Sequence, residues 1–340
     1  MSVVDKLTVC ACNCRTGVTG YIAGDALCVL AQAHPEFEYA ALVRSEDKAA
    51  RVRDAYPAVR VVVGSLDDAE VLRKEAAWAD LVLHAADASD HVGAARAIAA
   101  GLVEGHSAAR PGYWLHTGGT GILSYFDTVS GRLGELSEKI FNDLDGVSEL
   151  TSLPDDAFHR NVDKIVLECG TQHPDVVRTA IVCPPTIYGN GRGPISGRSR
   201  QVYEMAKLVL TKGYAPIIGA GLSKWSNGKF GHSDYSRPFL FPSLLFVHIQ
   251  DLTQAFVLLT EAAASGNASP EIWGARGYHF TDWGVLARTV AEQAHKLGLL
   301  KGEQKPKEKQ LSKDEALAIA GFEALGNQKD ALLKRRSLRF

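Results

Sequence analysis

The sequence predicts an α/β fold, a doubly wound parallel sheet with a smaller C-terminal region, and two observations predict it. The first half alternates strand-like and helix-like segments, the pattern of crossover units whose strands run parallel between two layers of helices. The second observation is the run Thr16-Gly17-Val18-Thr19-Gly20-Tyr21-Ile22-Ala23-Gly24, which follows an apolar segment and leads into Asp25-Ala26-Leu27-Cys28-Val29-Leu30-Ala31. A strand that ends in small residues and passes straight into a helix can face a pyrophosphate with backbone N–H groups and the helix N-terminus. Glycines also punctuate ordinary turns, so the surroundings decide.

The elements follow in order. Residues 7–14 read as the first strand and 21–34 as the helix after the glycine turn. Strand 38–43, helix 46–55, strand 59–63 and helix 69–76 come next. Asp80-Leu81-Val82-Leu83-His84 and Gly112-Tyr113-Trp114-Leu115-His116 are apolar runs of buried-strand type on either side of a helix over 91–102. A helix is expected from 156 through His159 to 168, and a strand over 176–182. Beyond Gly189 the alternation loosens and glycine, proline and aromatic residues collect. The expected division is therefore a dinucleotide-binding part over 1–190, whose sheet takes further strands near 247–252, a substrate-side region over 191–325, and a tail over 326–340. The lysine-rich stretch 301–313 reads as an exposed connection.

Composition narrows the function classes. The 340 residues are 46% hydrophobic and 22% charged, enough for one large core, with a net charge of −2 and a pI near 6.6. No field of one sign gathers nucleic acid or an anionic membrane, and Lys334, Arg335, Arg336 and Arg339 read as a solvated tail. With no leader pattern and no uncharged apolar stretch of spanning length, the expected compartment is the cytoplasm. Cys10, Cys12 and Cys14 alternate onto one strand face, and no second Cys/His cluster completes a four-ligand site, so no metal is expected. No Gly-x-Ser-x-Gly elbow or His-Glu-x-x-His is present, which argues against hydrolases.

Five segments in one order resemble extended and atypical short-chain dehydrogenase/reductases, specifically the NAD-dependent epimerase/dehydratase-like proteins. They are the glycine turn, His84-Ala85-Ala86-Asp87, Leu115-His116-Thr117-Gly118-Gly119-Thr120-Gly121, His159-Arg160-Asn161-Val162-Asp163, and Pro184-Pro185-Thr186-Ile187-Tyr188-Gly189. Trp225-Ser226-Asn227 and Val247-His248-Ile249-Gln250-Asp251-Leu252 look like the group's later signature. The resemblance implies a Rossmann-type sheet carrying a nicotinamide dinucleotide. Gly17, Thr19, Gly20, Tyr21, Ile22 and Ala23 would lie at the pyrophosphate, Ser65 and Leu66 at the adenine, and Ala85, Ala86 and Pro185 along the rest of the cofactor. Arg44 stands at the end of the second strand, where an acidic residue would bond a ribose 2′-OH; arginine suits a 2′-phosphate, so NADP is expected, with NAD the alternative. A small-molecule substrate follows, and pairing into a homodimer stays open.

The catalytic positions depart from the family. Its proton-moving group is the Tyr of Tyr-x-x-x-Lys, helped by a Ser or Thr. Here the Tyr slot holds His159, the Lys slot Asp163 and the Ser slot Gly118; Lys164 lies about 100° further round the helix. Two readings stand side by side. In one, His159 moves the proton, Asp163 at i+4 orients its ring, and Thr117 or Thr120 bonds the substrate oxygen. In the other, His159 and Asp163 are a structural pair and the protein is a non-catalytic NADP-binding redox sensor. Tyr188 reads as core packing. Residues 228–246 separate two pieces that run together in look-alikes, and read either as a lid or as translated non-coding sequence.

Overall fold

The computed structural model describes residues 6–10, 18–132, 134–135, 139, 141, 146–184, 186–222, 247–268, 272–273 and 307–311. Gly17, Pro185, the 10–15 extension beyond its first residue, the 228–246 segment and the 326–340 tail lie outside the described residues.

The chain runs through β1 (Lys6–Cys10), α1 (Tyr21–Ala33), β2 (Glu38–Val43), α2 (Glu46–Ala55), β3 (Arg60–Val63), α3 (Ala69–Trp78), β4 (Leu81–His84), α4 (Val92–Gly105) and β5 (Gly112–Thr117). A 3-10 turn over Thr120–Ser124 leads to α5 (Tyr125–Ser130), α6 (Val147–Thr151), α7 (Arg160–Gln172) and β6 (Val177–Val182). There follow β7 (Ile187–Tyr188), α8 (Gln201–Lys212), β8 (Tyr214–Ile218), β9 (Val247–His248), α9 (Ile249–Ala264) and β10 (Lys307–Leu311).

Six strands form one parallel sheet in the order β3-β2-β1-β4-β5-β6. The order reverses direction between β1 and β4, which opens a crevice at the carboxyl ends of those strands. Every residue of β4 and β5 is buried, as a central strand covered on both faces requires. The pleat sends alternate β5 side chains to opposite layers. Tyr113 and Leu115 join the core with Leu27 and Leu30 of α1, Val52 of α2 and Phe256 of α9. Trp114 joins the other, with Leu72 of α3, Ile98 and Leu102 of α4 and Val162 and Val166 of α7. Each such Leu or Phe contributes about 1.5–3 kcal/mol by leaving water.

Four expectations change. Helix α7 begins at Arg160 rather than passing through His159, because His159 has φ 64°, a left-handed conformation that a right-handed helix cannot contain. Residues 247–248 do not extend the six-stranded sheet; they pair with β7, and α9 starts at Ile249. Part of the lysine-rich 301–313 stretch is strand β10, parallel to β8, since a ladder needs only backbone groups and asks little of the side chains. Tyr188 is 45% exposed and meets His248 edge-on at 5.0 Å, so it is not core packing.

Candidate active site

The phosphate end is built by Val18–Ile22. Gly20 is extended and caps α1 without any side-chain hydrogen bond, and the first turn carries no acidic residue. By helix geometry the first-turn N–H groups have no intrahelical acceptor, so an anion meets donors and the positive end of the dipole. The Tyr21 hydroxyl donates to the Gly189 carbonyl oxygen at 2.6 Å, which leaves only the backbone of Tyr21 to face a phosphate. Burial is the main cause that pushes the Tyr21 hydroxyl well above its usual range, with the Asp25 charge adding to it. Thr19 is half-buried in the turn, and Ile22 is buried.

The loop after β7 closes over α1 at a glycine-to-glycine contact. A Cβ on Gly193 would lie 2.8 Å from the Gly24 Cα, and one on Gly24 would lie 2.9 Å from the Val18 oxygen, so the close approach excludes side chains at both. Asp25, fully buried, locks it: the Arg192 backbone N–H donates at 2.6 Å, its guanidinium at 2.7 and 3.0 Å, and the Thr253 hydroxyl at 2.6 Å. Burial alone would raise the Asp25 carboxyl, but the hydrogen bonds from Arg192 and Thr253 outweigh it and hold the group below its ordinary value.

At the adenosine end Arg44 lies exposed directly after β2, and Leu66 is buried. Ser65 is half-buried, its N–H donates to Asp68 Oδ2 at 2.5 Å and its hydroxyl accepts from the Asp67 N–H at 3.1 Å. Ala85 and Ala86, both buried, follow β4 directly and carry only methyl side chains. These observations fit a dinucleotide: an uncapped helix N-terminus, small residues along the strand ends, and a cation at the end of β2.

The residues expected to be catalytic are arranged differently from that expectation. His159 is the N-cap of α7, 6% exposed, and its Nδ1 lies 2.9 Å from Asp90 Oδ1 and 3.2 Å from the Ser89 carbonyl oxygen. Both partners only accept, so Nδ1 bears the hydrogen and a neutral ring keeps its lone pair on Nε2. Nε2 sits over the end of β5: a Cβ on Gly119 would fall 2.3 Å from it, and one on Gly121 3.0 Å. Glycine at these positions makes the room for the imidazole.

Asp163 does not orient that ring. The positive φ of His159 itself turns its side chain off the helix face, so the i,i+4 relation does not apply; Asp163 instead points under Gly118, with Oδ1 3.8 Å from His116 Nε2. Full burial pushes the Asp163 carboxyl up to about 7, partly offset by the charges of His159 and Arg160. A Cβ on Gly118 would lie 2.5 Å from Cys183 Sγ and 3.4 Å from Asp163 Oδ1, so the family's Ser position is filled from below. Thr117 is buried on the opposite face of β5 from His116 and Gly118, with no partner for its hydroxyl; Thr120, half-buried, opens the 3-10 turn beside Gly119. Lys164 is occupied by Asp155 at 2.8 and 3.0 Å, away from these groups.

Sequence reasoning missed Asp90, His84, His116 and Cys183. His84 and His116 face each other across the β4–β5 register, with Nδ1 atoms 3.2 Å apart. The signal was a histidine at the end of each of two apolar strands, which becomes a pair only when the register is known. Among the described residues no group of histidines, cysteines and carboxylates could hold a metal ion, and no helix is long and apolar enough to cross a membrane.

Comparisons with known proteins place this architecture. No family model matches the chain. The oxidase ucsJ of Acremonium sp is 39% identical over 300 residues, 84% of this chain and 80% of its own length. Among solved structures, a UDP-glucose 4-epimerase from Thermotoga maritima with UDP-glucose covers 98% of this chain and 100% of its own at TM-score 0.51 and 12% identity. A dTDP-glucose 4,6-dehydratase, DesIV of Streptomyces venezuelae, solved with NAD and TYD, covers 98% and 97% at TM-score 0.54 and 15% identity. The enzyme WbmH of Bordetella bronchiseptica, solved with NAD+, covers 90% and 86% at TM-score 0.51 and 9% identity. The strand order and these likenesses show a Rossmann-type fold shared with nucleotide-sugar epimerases and dehydratases, and the identity to the oxidase ucsJ over most of both chains makes this chain a member of the same family as that oxidase.

Proposed function

We propose that the chain is a nicotinamide dinucleotide-dependent oxidoreductase of epimerase/dehydratase type, acting on a small hydroxyl or carbonyl compound, with NADP as its cofactor. The observation that carries this reading is the fixed tautomer of His159, whose Nδ1–H is held by Asp90 and whose Nε2 lone pair lies at the carboxyl end of β5. The bound cofactor supplies hydride exchange at its nicotinamide. The chain supplies the proton step: His159 Nε2 accepts the substrate hydroxyl proton in oxidation and returns it in reduction. Asp90 stabilises the imidazolium that forms, and the Thr120 hydroxyl, at the start of the 3-10 turn beside Gly119, is the group proposed to bond the substrate oxygen. Gly20, Tyr21 and Ile22 offer backbone donors to the pyrophosphate, and Arg44 a guanidinium to a 2′-phosphate. Residues 191–325 are assigned to the substrate.

A fluorescence titration with NADPH and, in parallel, NADH tests the cofactor. NADPH should bind tighter, and Arg44→Asp should reduce that preference by about tenfold or more, the worth of a charge-assisted bond. Equal affinity in the unaltered protein would reject NADP. His159→Gln should retain NADPH binding and lose turnover by about 10²–10⁴. The second reading, an NADP-binding redox sensor without turnover, draws on the absence of the family's Tyr, Lys and Ser and on the burial of the His159 ring; it is favoured if NADPH binds and no substrate screen yields turnover.

A further inference from the structure

Below the crevice lies a polar cluster that the proton step at His159 does not use. Asp163, His116 and His84 run in line from α7 through β5 to β4, with 3.8 Å between Asp163 Oδ1 and His116 Nε2 and 3.2 Å between the two imidazole Nδ1 atoms. All three side chains are fully buried, and both Asp163 oxygens, His116 Nε2 and His84 Nε2 lack a hydrogen-bond partner. Four such atoms together are costly while they stay without partners, because the desolvation of each is uncompensated. A shift of roughly 0.8 Å would bring Asp163 into hydrogen-bond range of His116.

The charges facing the cluster come from every side. His159, Arg160 and Asp90 act on Asp163 from the start of α7 and the loop before α4; Cys183 lies beside it after β6; His91 acts on His84. The Nδ1 contact requires one imidazole to donate and the other to accept. If Asp163 donates to His116 Nε2, His116 keeps its Nδ1–H for His84, and the three groups form one directed chain. Burial holds both imidazoles uncharged, His84 down to about 3 and His116 well below its ordinary value. The acidic proton of the set therefore belongs to Asp163.

We propose that Asp163, His116 and His84 form a buried proton-holding chain, and that Asp163 is a positioning residue whose charge governs the proton step at His159. The inference rests on the reading of His159 as proton carrier. With Asp163 neutral, the carboxylate held against the His159 ring is that of Asp90. With Asp163 ionised, a second negative charge lies under Gly118, beside the strand end over which His159 Nε2 sits, and changes the field in which the proton is exchanged. The step is proton loss alone: the Asp163 O–H bond breaks and the proton leaves to solvent.

Infrared pH-difference spectroscopy of the cofactor-free protein reads the chain without any turnover. A protonated-carboxyl band should be present at pH 5.5, fade as pH rises through about 7, vanish in Asp163→Asn and move in His116→Asn. Absence of a band near pH 5.5 that either variant alters would overturn the chain. The second reading is the pH profile of kcat/KM with NADPH or NADP+: the unaltered protein should show an inflection near 7, and Asp163→Asn should move it. An unchanged profile with the band confirmed would overturn the positioning role. Absence of turnover in every form, with the band present, would instead reject His159 as proton carrier. Should Asp163→Asn fail to fold, the band in unaltered protein and its shift in His116→Asn still decide.

Discussion

At His159 a single backbone angle changes the chemistry open to a side chain. A left-handed histidine costs on the order of 1 kcal/mol, and its Nδ1 bond to Asp90 is the compensation the structure offers. Asp90→Asn keeps the shape but presents an amide where a carboxylate stabilised the imidazolium. It should lower turnover by about 10- to 100-fold while leaving NADPH affinity unchanged, read by kcat against the titration. Gly119→Ala should act on the same ring through space, because its Cβ would fall within 2.3 Å of the imidazole. Displacing the ring should cost about 1–3 kcal/mol of stability and most of the turnover, checked by urea unfolding and by kcat. The Ser position of the family shows the converse: Gly118 cannot carry a side chain because Cys183 and Asp163 occupy the volume it would enter.

Among the elements, the loop after β7 has a position that depends on a buried charge. Asp25 gathers the donors of Arg192 and Thr253, so α1, this loop and α9 meet at one carboxylate. Arg192→Ala leaves that carboxylate with fewer donors in a dry site. The arginine side chain is 39% exposed, so the loss falls below that of a fully buried pair, at about 2 kcal/mol, measured by denaturant unfolding. The same substitution should make the 189–198 loop more open to limited proteolysis, since it removes the two guanidinium bonds to Asp25 and leaves ties such as Tyr21 to Gly189 and Arg51 to the Pro194 carbonyl. Strand β10 carries an element-level lesson of its own. Lysines at 307 and 309 suggested a solvated connection, yet the ladder to β8 is made by backbone groups that side-chain polarity does not veto.

Over the whole molecule, the buried ionisable groups set how stability follows pH. The Asp163 carboxyl is raised from 3.8 to about 7, so its contribution is present below pH 4 and is lost as pH rises through about 7. His84 and His116 are lowered, so theirs is present above 6.5 and is lost as pH falls below it. Asp25 is lowered and adds a loss only as pH falls below its ordinary value of 3.8. Between pH 7 and 5 the protonation of Asp163 thus opposes the cost of the two imidazoles. Asp163→Asn removes that opposition, and its stability relative to the unaltered protein should fall by on the order of 2 kcal/mol between pH 7 and pH 5, read by urea unfolding at the two values.

The amino-acid order by itself determined the alternation of strands and helices, the glycine turn before α1 and the cation after β2, because each is a local pattern of size, polarity or period. It also marked His159, Asp163 and Gly118 where the short-chain dehydrogenase/reductases that the sequence resembles carry Tyr, Lys and Ser. It placed His159 inside a helix and paired it with Asp163, since nothing local in His159-Arg160-Asn161-Val162-Asp163 announces a positive φ. Only the tertiary structure decided that His159 turns to Asp90, sixty-nine residues earlier, and that Asp163 turns to His116. The β4–β5 register set His84 against His116, and the Gly24–Gly193 approach brought Arg192 to Asp25. Those pairings depend on strand order and helix packing, which are properties of the assembled sheet that no single segment encodes.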